Sequence, residues 1–87
     1  MRTKRKDYPE ALGKTVADHL WEDWKEQGTN WFPKGISDLP NVARSLAKTA
    51  AFVSWGYKKS ASEKEIEETI TAAVKRIEIH IINVFIF

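Results

Sequence analysis

His19 and Asp23 stand four residues apart, a spacing that offers an imidazole and a carboxylate from one face of a helix, with Glu22 beside them. A metal cage needs more than two such ligands. No second histidine pair follows at matching spacing and His80 stands alone, so no metal site is expected, and His19 is read as bordering the core. The chain has no cysteine, which removes thiolate ligands, thiol nucleophiles and disulfides together. Neither a serine triad nor a glycine-rich phosphate loop can be assembled from the remaining residues. No catalytic residue and no cofactor is assigned, and the chain is read as a non-enzyme.

Two other groups of residues could serve recognition. Trp21, Trp24, Trp31 and Phe32 gather three of the four tryptophans within a dozen residues, bordered by Glu22 and Asp23. Such a group suits either a hot spot for another protein or a plug for the open end of a small core. The second group is basic. Arg2, Lys4, Arg5 and Lys6 cluster ahead of any expected structure, and Arg44, Lys48, Lys58 and Lys59 follow in the second half. The arm reads first as a solvated terminus. In the alternative reading, arm and second helix follow a nucleic-acid backbone by counterion release.

The elements that must position these groups are helices. Asp7, Pro9 and Glu10 form a helix start, and Leu12, Val16, Leu20 and Trp24 recur at four-residue steps until Gly28, so a first helix is expected over 9–27. Its opposite face carries Asp18, Glu22, Asp23 and Glu26, and three of these sit in the last turns, where the dipole disfavours anions. Local pairing with Lys14 and Lys25 is the expected compensation. Residues 29–37 contain Pro33 and Gly35 and read as an aromatic-rich loop. Ser37 or Asp38 then caps a second helix over 39–55, with a stripe of Leu39, Val42, Ala43, Leu46, Ala50 and Val53. Ala43, Ala47, Ala50 and Ala51 would let a neighbouring helix approach closely.

Ser62 and Glu65 form a capping box for a third helix over 63–83, on which Ile66, Ile70, Ala73, Val74, Ile77, Ile81 and Val84 share a face. From Ile77 onward the polar face thins, and a short C-terminal strand over 77–87 is the alternative. Helix is preferred because no turn residue interrupts the stripe.

With 87 residues and a net charge of +2, the chain is read as a flexible arm over 1–7 followed by one domain over 8–87. The expectation is a small all-α three-helix bundle with a buried apolar C-terminal segment. No signal peptide or transmembrane span is recognised, which favours a cytoplasmic protein. The excess of apolar side chains points to a protein-interaction module, with a homodimer formed through Ile81, Val84, Phe85 and Phe87.

Overall fold

The last helix begins where its capping residues require. In a computed structural model describing residues 8–30, 35–56 and 62–86, the Glu65 N–H donates to Ser62 Oγ at 3.1 Å. The Ser62 N–H in turn donates to Glu65 Oε1 at 3.2 Å. Both halves of the capping box are therefore made. Replacing Ser62 by alanine should cost about 1 kcal/mol, read as a fall of a few degrees in the thermal midpoint.

Three helices follow one another: α1 over Tyr8–Gln27, α2 over Leu39–Gly56 and α3 over Glu63–Ile86. Gly28 (φ 51°) takes the left-handed conformation that closes α1, and short 3-10 turns at Gly28–Asn30 and Gly35–Asp38 carry the chain toward α2. All three helices were expected within three residues of these limits. No strand occurs among the described residues, and α3 runs as helix through Ile77 to Ile86.

Side-chain contacts give the direction of packing. Gly13 of α1 lies against Thr69, Ala72 and Ala73, and Asp18, five residues on, meets Arg76 and His80. The α1 and α3 helices thus run parallel, and α2 packs against both. Contact is most extensive between α1 and α3 and least between α1 and α2.

The core is built from Ala17, Leu20 and Trp21 on α1, Leu39, Ala43 and Ala47 on α2, and Ile70, Ala73 and Ile77 on α3. Thr69 is fully buried and donates its hydroxyl to the Glu65 carbonyl at 2.8 Å, so it carries no unmet donor. Three expectations about the core need correction. Leu46 and Val53 are exposed, because α2 packs through its alanine line, which permits a closer approach than the larger side chains. Val84 is half exposed as well; burial of the C-terminal segment holds for Ile77 and in part for Ile81. His19 is exposed rather than bordering the core.

Candidate functional site

The polar side chains that the fold brings together across helices are Asp18 of α1 and Arg76 and His80 of α3. Asp18 is half buried just beyond the closest approach of α1 and α3, and Arg76 and His80 follow one turn apart on the face of α3 that meets α1. Arg76 Nε donates to Asp18 Oδ1 at 2.9 Å, and His80 Nε2 lies 2.7 Å from the same oxygen. An ionised carboxylate can only accept, so His80 must carry its proton on Nε2 in this contact. The Arg76 guanidinium holds the Asp18 carboxyl below its ordinary value of 3.8; burial pushes the other way and His80 adds to the lowering. Asp18 in turn pushes the Arg76 guanidinium up.

The imidazole of His80 also stacks on Trp21, with ring centroids 5.3 Å apart and planes 10° from parallel. Trp24 also stacks on Trp21, at 5.2 Å and 19°. Trp21, common to both stacks, is buried, and Trp24 and His80 are partly so. Helical spacing accounts for this: Trp21 and Trp24 are neighbours at three residues, and His80 is one turn beyond Arg76.

The arrangement fastens two helices. It contains no nucleophile next to the imidazole, and no group of three or more metal-ligating side chains occurs among the described residues. An open groove of about 710 Å³ runs beside it between α1 and α3, walled by both cations and anions, including Glu10, Lys14, Glu68 and Lys75. That mixture selects no charge of ligand.

Asp18 therefore makes acid stability testable. Its folded-state pKa is lowered, so its stabilising contribution is complete above the unfolded value and is lost as pH falls through the folded one. Asp18→Asn should be less stable than wild type in urea at neutral pH, and the difference should shrink at acid pH, as the carboxylate is protonated below its lowered folded-state value. An equal difference at both pH values would show that the carboxylate charge is not what fastens α1 to α3.

The side chains singled out for recognition are distributed differently. Trp21 is only 7% exposed, which removes it as a contact surface and makes it the plug. Trp24 packs partly against the core, leaving its outer edge beside exposed Glu22 and half-buried Asp23. Glu22 pairs with Lys25 at 2.9 Å, as expected, whereas Lys14 pairs with Glu10 and not with the acidic residues that follow it. Arg44 and Lys48 are exposed one turn apart on α2, which has no acidic residue.

Arg2, Lys4, Arg5, Lys6, Asp7, Trp31, Phe32, Lys58, Lys59, Phe87 and the side chain of Phe85 lie outside the described residues. Sequence reasoning missed Arg76 and the pairing of His80 with Asp18. No local signal marked them, because Asp18 lies in the middle of α1 and its partners are 58 and 62 positions away.

Compared with protein-family models, curated proteins and solved structures, the chain matches none. No helix among the described residues is long and apolar enough to cross a membrane.

Proposed function

We propose that the protein is a small non-enzymatic protein-interaction module that associates with itself. The observation that carries this reading is the set of large apolar side chains left outside the core on two helices. Leu46, Phe52 and Val53 on α2 and Ile79, Ile82 and Val84 on α3 are each between 44% and 62% exposed. Scattered apolar residues are normal on a surface, but here they recur along two adjacent helices of a chain whose core is already complete. The edge of Trp24 with Glu22 and Asp23 remains as a contact for a second protein.

Of the residues behind the nucleic-acid alternative, only Arg44 and Lys48 fall within the described residues, and two cations by themselves give a weak grip with a shallow salt dependence. Light scattering over a concentration series at low and high salt tests the main reading. A dimer that persists at high salt is expected from an apolar interface. A monomer throughout would overturn self-association.

A further inference from the structure

We draw no further inference here: the strongest candidate, the exposed apolar face of α2 that carries Leu46, Phe52 and Val53, has nothing in the structure to show what covers it.

Discussion

Leu20→Ala is expected to remove about 3 kcal/mol of stability, measured as a shift of the urea midpoint without a change in slope. Leu20 is 2% exposed and sits where α1 meets the buried faces of both other helices, so the space its side chain leaves cannot be refilled by water or by a neighbour sliding in. A chain of 87 residues has a total stability of about 4 to 13 kcal/mol, so this single deletion consumes a large share. Phe52→Ala provides the contrast. It removes a larger side chain that is 62% exposed in the single chain, and at a concentration where the protein is monomeric its cost should stay within about 0.5 kcal/mol. Comparable losses at the two positions would mean that the core is not the one described.

Gly13→Ala should be destabilising by about 1 to 3 kcal/mol, although alanine favours a helix interior over glycine by about 1 kcal/mol. The added methyl would stand 2.7 Å from the Ala72 Cβ and 2.9 Å from the Ala73 nitrogen, and closer still to the Thr69 carbonyl oxygen. Two of these are backbone atoms and cannot rotate away, so α3 must move as a body and the contact between α1 and α3 must open. Tryptophan emission should shift to longer wavelength as water reaches Trp21. A variant more stable than wild type would show that α1 and α3 do not approach this closely.

The helices themselves were legible because their signals are local. A capping serine, a closing glycine and an uninterrupted apolar stripe act within one or two turns, and Ser62, Gly28 and the run through Ile77 behave accordingly. The choice of face was harder to read. On α2 the larger residues Leu46 and Val53 marked one stripe and the alanines a neighbouring one; periodicity weighs hydrophobicity, whereas packing in a three-helix bundle rewards close approach. Gly13 gave no signal, since a glycine inside a helix reads as a weakness until its neighbour on α3 is known. The Asp18 cluster joins residues 58 and 62 positions apart. It left no local trace, since Asp18 lies in the middle of α1, where the dipole makes no demand.

The parallel pairing of α1 with α3 also bears on the order in which the molecule can be made. Among the three helices the most extensive contact joins α1 to α3, and the least extensive joins α1 to α2, both made before α3. A nascent chain that has completed α1 and α2 carries Leu20, Trp21 and Leu39 without Ile70 and Ile77, the larger side chains of α3 in the same core. Folding must then wait for a distant segment to close a long loop, which slows the search and lengthens the time apolar surface stays open to other chains.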